Sequence, residues 1–233
     1  MIDFHSHILP AMDDGAADTD ASLALLRLAA AQGAEGVVAS PHFYWGQDTI
    51  ESFLIRREQC FERLRPLLTA DLPAVRLGAE VYIREGISRL DLRPLCLEGT
   101  EILLVEIPFA RMPYWLMEEL ETIVFGQRLT VMLAHLDRYT SWYSAADAAS
   151  LAELPEAIIQ LNADSLADKR QLKSLAKWLP DTYRLVMGSD MHNMEERPPH
   201  LAQAQEAMRR HREGRVWLGK MAYTTEEIFP SGF

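Results

Sequence analysis

The chain is poor in cysteine: Cys60 and Cys96 are its only two in 233 residues, too few for a disulfide framework or a cysteine zinc set. Neither opens a phosphocysteine loop, which needs Cys, five residues and then Arg. The residue reached from Cys60 is Pro66, and from Cys96 it is Ile102. No GxxxxGK[ST] stretch and no GxSxG elbow occurs, so nucleotide-driven phosphoryl transfer and α/β-hydrolase chemistry lack their residues. Basic residues are scarce as well. The 23 Lys and Arg stand against 34 Asp and Glu, a formal charge of −11, which repels phosphate backbones and makes nucleic acid an unexpected partner. Apolar runs such as Glu101 to Phe109 fall well short of the roughly 18 residues that cross a bilayer, so no membrane insertion is expected. The opening Met1-Ile2-Asp3-Phe4-His5 puts an acid where a signal peptide carries basic and then apolar residues. Ten methionines beside two cysteines suit a reducing cytoplasm, the expected location.

What is present is ample apolar material, 48% of the residues, without a repeat, low-complexity tract or linker, so one domain over 1–233 is expected. Short apolar runs predict strands at Ile2-Phe4, Gly36-Ala39, Val75-Gly78, Ile102-Val105, Thr130-Leu133, Ala157-Gln160 and Tyr183-Met187. Helical patterns fall between them. The first has Asp18 or Thr19 as N-cap and Gly33 as stop; others cover Thr49 to Leu68, Tyr114 to Gly126, Ala145 to Leu151, Ser165 to Leu179 and His200 to Arg212. Repeated β-then-α alternation predicts an α/β fold of parallel strands with right-handed crossovers, closed or nearly closed into a barrel.

Nearly every predicted strand ends on a His, Asp or Glu. His5, His7 and Asp14 follow the first, His42 the second, Glu80 the third, Glu106 the fourth, His135 the fifth, and Asp190 with His192 the last. In a parallel barrel these ends meet at one face. His5 and His7, two apart on an extended segment, point the same way, as do Asp190 and His192. Mixed imidazole and carboxylate donors suit divalent transition metals such as Zn, Mn or Fe, and nine donors imply more than one ion. Four clustered carboxylates also demand compensating cations. His200 and His211 fall on a helix expected to face solvent. Arg138 and Arg197 lie beside the donors, and two guanidinium forks next to a metal centre suit phosphate. Taken singly, each is equally well explained as a surface pair with Asp137 or Glu196.

These residues, Met1-Ile2-Asp3-Phe4-His5-Ser6-His7 through Asp13-Asp14-Gly15, Ser40-Pro41-His42, Gly78-Ala79-Glu80, Val105-Glu106, Ala134-His135 with Arg138, and Ser189-Asp190-Met191-His192-Asn193 with Arg197, resemble the bacterial PHP-class (polymerase and histidinol phosphatase) protein-tyrosine phosphatases of capsule and exopolysaccharide clusters. The likeness thins between Ser141 and Leu179, and Gly214 to Phe233 carries no motif. The resemblance implies a distorted (β/α)7 TIM-like barrel of the PHP fold with three metal ions, manganese by the usual practice for the class. His5, His7, Glu80 and Asp190 would hold the first ion, with Glu80 bridging. Glu106 and His135 would complete the second, and Asp14, His42 and His192 the third. Asp14 stands where many PHP proteins carry another histidine, which argues against histidinol phosphatases and polymerase PHP domains.

The implied activity is metal-dependent hydrolysis of phosphotyrosine, with the tyrosine-rich tail of a bacterial tyrosine kinase as substrate and Arg138, Arg197 and the third metal on the phosphoryl oxygens. A phenolate of pKa about 10 leaves without a dedicated general acid. Two other readings are a phosphatase of small phosphomonoesters such as histidinol phosphate, and a metal-loaded regulatory module without turnover. Phe43, Tyr44 and Trp45 after His42, and Pro113, Tyr114 and Trp115 one loop after Glu106, are expected to rim the cavity with rings for a phenyl group.

Overall fold

The computed structural model describes residues 1–179, 184–230 and 232–233. Among the described residues nine strands are interspersed with helices: β1 (Ile2–Ser6), β2 (Gly36–Ala39), β3 (His42–Phe43), β4 (Ala74–Leu77), β5 (Glu80–Tyr82), β6 (Ile102–Glu106), β7 (Thr130–Leu133), β8 (Ile158–Asn162) and β9 (Arg184–Gly188). The helices are α1 (Thr19–Ala31), α2 (Ile50–Leu64), α3 (Leu116–Glu121), α4 (Ala145–Ala152), α5 (Ala163–Ala167), α6 (Lys169–Trp178), α7 (Leu201–Arg210) and α8 (Arg212–Ile228). Tyr183, the expected start of the last strand, lies outside the described residues.

Every ladder is parallel, in two sheets ordered β1-β2-β4 and β3-β5-β6-β7-β8-β9, and neither closes on itself. The expected parallel α/β arrangement is present, and of the expected closed or nearly closed barrel no closed form occurs among the described residues. The reason is local. Pro41 has no N–H to give, and Gly78 and Ala79 interrupt the chain opposite it, so the strands predicted at Gly36-Ala39 and Val75-Gly78 end as β2 and β4 of the first sheet, and the short β3 and β5 beyond them, not among the predicted strands, pair in the second. Single backbone bonds bridge the gap, Gly78 N–H to Ala39 O at 2.8 Å and Glu80 N–H to Pro41 O at 3.0 Å. At the other margin β1 meets the end of β9: Asp190 N–H donates to His5 O at 2.8 Å and His7 N–H to Met191 O at 3.0 Å.

Both faces of the strands are apolar, as parallel strands covered on each side require. In β6, Leu103 and Val105 join the outer core under the helices, whereas Ile102 and Leu104 join an inner cluster with Phe4, Val38, Met132, Ile158 and Val186. Phe229, just after α8, belongs to that inner cluster, stacks on Phe4 at 5.9 Å and meets Phe233 edge-on at 5.0 Å. Arg76 lies over both rings. Gly36 has no side chain because a Cβ there would overlap the Phe233 ring. The motif-free C-terminal segment is therefore a plug at the end of the strands remote from their polar tips.

Helix ends follow local chemistry. Asp18 caps α1 by accepting Ala21 N–H at 2.8 Å, and Gly33 follows it at φ 90°. Thr49 and Ser144 each form a capping box, at the heads of α2 and α4. The expected helix from Ser165 to Leu179 is two helices, because Asp168 turns out of α5 to cap α6, accepting Arg170 and Gln171 N–H. The one expected from Tyr114 is shorter, with α3 passing into a π-turn over Thr122–Gly126. α2 ends at Leu64, and Pro66 starts a 3₁₀ turn. No helix among the described residues is long and apolar enough to cross a membrane.

Phe229→Ala removes the ring that closes the inner cluster, and a buried Phe→Ala change costs about 3 kcal/mol or more. At this chain length that lowers the thermal midpoint by roughly 6–12 °C. An unchanged midpoint in a melting experiment would refute the plug.

Candidate metal centre

The polar tips converge because in strands such as β6 and β8 the inner phase turns polar at the C-terminal end. Ile102 and Leu104 are followed in phase by Glu106, and Ile158 by Gln160 and Asn162. β1 needs a correction of phase. Ile2 and Phe4 face the inner cluster, and strict alternation would turn His5 away. The register between β1 and β2 slips between Asp3 and Ser6, and His5 instead packs against Gln160 and over Gly188, where a Cβ would collide with both. His135 (φ 31°) and Asp190 (φ 54°) follow β7 and β9 in the left-handed region, a conformation costing about 1 kcal/mol or more that concentrates at functional sites.

All nine expected donors meet. Their ligand atoms fall into four overlapping groups, each within 4.8 Å: His7, Asp14, His42 and His192; His5, His7 and Asp190; His5, Glu80 and His135; and His42, Glu80 and Glu106. Glu80 is the hub. Its Oε2 lies 2.8 Å from His42 Nδ1, 3.3 Å from His5 Nε2 and 3.4 Å from His7 Nε2, and its Oε1 is 2.8 Å from His135 Nε2. Asp190 Oδ1 is 3.5 Å from His7 Nε2 and 3.8 Å from His5 Nε2. Asp14, unlike the other carboxylates, is largely exposed, and reaches His42 and His192 at 3.3 and 3.4 Å.

Three imidazoles are oriented by their Nδ1 atoms. His5 Nδ1 bonds to Gln160 Oε1 at 2.9 Å, His7 Nδ1 to Asp13 Oδ2 at 2.7 Å, and His192 Nδ1 to the Asp190 carbonyl at 2.9 Å. With Nδ1 donating, each Nε2 lone pair is directed into the cluster, which is how protein histidines are set to receive a metal. His192 Nε2, His42 Nδ1 and Glu80 Oε2 are buried, and the atoms that face them are other imidazole nitrogens and carboxylate oxygens of the cluster. Buried imidazole and carboxylate donors gathered in this way fit divalent cations in their chemistry.

The electrostatics agree. Burial alone would lower the His7 imidazole, but hydrogen bonds with Asp13 and Glu80 raise it to about 10, and Glu80 and Asp190 likewise raise His5 against its burial. Burial, then the charge of His7, pushes His192 down to about 4. Glu80 resists burial and sits well below the carboxylate range through His5, His135 and His42, whereas burial and the charge of Glu80 raise Glu106. The pocket therefore draws in positive charge, which protons or metal ions can supply.

Arg138 and Arg197 do not pair with Asp137 and Glu196. Both reach Asp190 Oδ2, at 2.8 and 2.7 Å, with about a third of each side chain open to solvent. Arg197 Nε has no partner. Asp137 is instead buried, accepting Asn162 N–H at 2.8 Å and the Ser165 hydroxyl at 2.6 Å, which anchors the turn that carries Arg138.

Several contributors were not singled out in the sequence. Asp13, beside the expected Asp14, orients His7 and also accepts His42 N–H. Gln160 serves His5 and accepts His135 N–H, and Asn162 donates to Asp190 at 3.1 Å. The alternation of Gln160 and Asn162 within an otherwise apolar strand was a readable signal. His200 and His211 are no part of the cluster, but they flank α7 rather than lie on it: His200 precedes it at φ 51°, and His211 sits between α7 and α8 near Glu213. Of the expected aromatic rim, Phe43 is wholly buried in the core. Tyr44 stacks on His42, and Trp45 packs under Arg84.

Tyrosine-protein phosphatase YwqE of Bacillus subtilis is 31% identical to this chain over 214 residues, covering 88% of this chain and 82% of that one. Tyrosine-protein phosphatase CpsB of Streptococcus agalactiae serotype III is 27% identical over 225 residues, 88% of each. In fold, the chain resembles a solved structure from work on YwqE of B. subtilis and CpsB of Streptococcus pneumoniae, described as unique metal-dependent tyrosine phosphatases. The TM-score is 0.80 at 24% identity, covering 100% of this chain and 96% of the other. A family model described as capsular polysaccharide synthesis, CpsB/CapC, matches residues 1–224, and the chain belongs to that family.

Proposed function

We propose that this chain is a metal-dependent protein-tyrosine phosphatase acting in capsule or exopolysaccharide synthesis, as the names of its relatives suggest. The observation that carries the reading is the convergence of imidazoles aimed by their Nδ1 bonds with two guanidinium forks on one shared carboxylate. In this reading His5, His7, Glu80 and Asp190 would hold one ion, and Glu106 and His135, with Glu80 shared, would hold a second. Asp14, His42 and His192 hold a third. Manganese is the proposed ion, with iron or zinc compatible with the donor set. The two sheets are read as one distorted (β/α)7 barrel within a single domain. The substrate is taken to be a phosphotyrosyl protein in the cytoplasm, the tail of a bacterial tyrosine kinase.

When bound, the ions supply Lewis acidity toward phosphoryl oxygens and a nucleophile at neutral pH. The chain's own residues do the rest. Arg138 and Arg197, held by Asp190, present fork-shaped donors to the phosphoryl group as negative charge spreads over it. Asp13, Gln160 and the Asp190 carbonyl keep the imidazoles in one tautomer and one orientation. A phenolate of pKa about 10 departs without a proton from the protein.

Neither cysteine can take the nucleophile's place. Both are buried, Cys60 accepts a hydrogen bond from Arg63, and burial pushes the Cys96 thiol up to about 12.

Purified protein supplied with manganese should carry two to three equivalents of metal and lose phosphotyrosyl-peptide hydrolysis on chelation. Less than one equivalent by elemental analysis, with activity intact, would defeat the multinuclear reading. Arg138→Ala and Arg197→Ala should each lower kcat by roughly 10²-fold, or about 2–4 kcal/mol, at unchanged metal content. His7→Ala should lose metal and activity together. Fully active arginine variants would return both residues to a purely structural pairing with Asp190. Replacing Cys60 and Cys96 together by alanine should leave turnover within a few-fold of the parent; a thousandfold loss in a folded double variant would mean that a thiol takes part.

A further inference from the structure

Phe109 was not among the aromatic residues expected at the cavity, yet its ring lies against a candidate ligand. It stacks on His135 with centroids 5.7 Å apart and planes within 20°, and on Tyr139 at 4.6 Å and 18°. Tyr139 in turn stacks on His135 at 5.6 Å. The three rings form one slab whose inner members are buried, while Phe109 remains 41% exposed at its outer edge.

The slab is rigidly held. The Tyr139 hydroxyl donates to the Ile107 carbonyl at 2.7 Å and the Tyr143 hydroxyl to the Pro108 carbonyl at 3.2 Å, which ties the backbone just before Phe109 to the turn at Leu136–Tyr139. Arg138 belongs to that same turn and directs its guanidinium to Asp190. One short turn thus fixes an anion-binding fork and, through Tyr139, an open aromatic face. Leaving such a face in water forgoes apolar burial that a flexible loop could recover by folding the ring inward. Here the ring instead lies flat on Tyr139 and His135 with its outer part open.

The other aromatic residues fit this role less well. Tyr44 stacks on His42 at 5.3 Å but also packs against Tyr82 at 5.8 Å, and is half-buried. Tyr114 is highly exposed and is drawn toward Glu85 by its hydroxyl.

We infer that Phe109 is the wall against which the phenyl ring of phosphotyrosine packs while Arg138 and Arg197 hold the phosphate, and that it sets the preference for aryl over alkyl phosphate. The inference rests on the phosphatase reading above. An aryl ring bonded directly to the phosphate oxygen covers Phe109 as it delivers the phosphate. A serine phosphate brings no such surface and must draw its peptide backbone toward the cavity.

The test compares metal-loaded wild type, Phe109→Ala, Phe109→Leu and Phe109→Tyr on phosphotyrosyl and phosphoseryl versions of one peptide. Binding of phenylphosphonate and of methylphosphonate is measured alongside. In Phe109→Ala the ratio of kcat/KM for the two peptides should fall about tenfold, mainly through KM for the aryl substrate. Phenylphosphonate should lose its advantage over methylphosphonate in parallel. Phe109→Tyr should keep both preferences and Phe109→Leu should fall between, so the result survives a poorly folded alanine variant. Unchanged ratios, or an equal loss on both substrates accompanied by loss of metal, would show that Phe109 only buttresses His135 and would overturn the inference. A wild type inactive on the phosphotyrosyl peptide would instead overturn the phosphatase reading and the wall with it.

Discussion

Glu80 is a carboxylate almost without solvent, and four imidazoles from β1, the β1–α1 loop, β3 and the end of β7 meet its two oxygens. An ionised carboxylate at that depth is costly by several kcal/mol unless cations surround it, so the burial of Glu80 and the closeness of His5, His7, His42 and His135 are one constraint. Removing one partner leaves the rest with uncompensated charge. The surrounding structure reads as the means of holding that arrangement. Gly78 leaves space beside Val38 and Leu97, the slip in β1 turns His5 inward, and left-handed turns at His135 and Asp190 bring both side chains back toward the hub.

A second tier makes the first tier exact. Asp13, Gln160 and the Asp190 carbonyl each occupy one ring nitrogen, so every imidazole concerned has a single useful tautomer. Asp137 plays the same part for the arginines: buried, and bonded to Asn162 and Ser165, it fixes the turn from which Arg138 extends. At the opposite end of the strands, Phe4, Phe229 and Phe233 keep the inner cluster dry. Apolar packing below and compensated charge above thus divide each strand at about its last two residues, which is why a strand such as β8 runs Ile158-Ile159 and then Gln160-Leu161-Asn162.

Much of this was legible in the chain itself. Apolar runs of four or five residues ending on His, Asp or Glu located most strands to within one or two residues, because burial on both faces demands continuous hydrophobicity and the site demands its abrupt end. His5, His7, Asp14, His42, Glu80, Glu106, His135, Asp190 and His192 were expected to share one face from their places at or just after strand ends, and Arg138 and Arg197 from lying beside them. Caps were readable for the same local reason, as Asp18 and Thr49 show.

What the tertiary structure decided are the relations that depend on distant segments. The breaks at Pro41 and Gly78, after β2 and β4, divide the strands between two sheets, since a missing N–H matters only once the facing strand is known. Which of Asp13 and Asp14 faces which imidazole, and that both arginines share Asp190 rather than their sequence neighbours, follow from loops meeting across the cavity. Phe43, expected at the cavity rim, lies in the core, and Phe109, which was not expected there, stacks on His135, because exposure is set by what packs on a loop from elsewhere. The sequence by itself determined that a set of His, Asp and Glu residues lies at strand ends and so shares one face, through local rules of burial and period. Only the three-dimensional packing decided how they are paired, oriented and charged, because hydrogen bonds and desolvation act between neighbours in space.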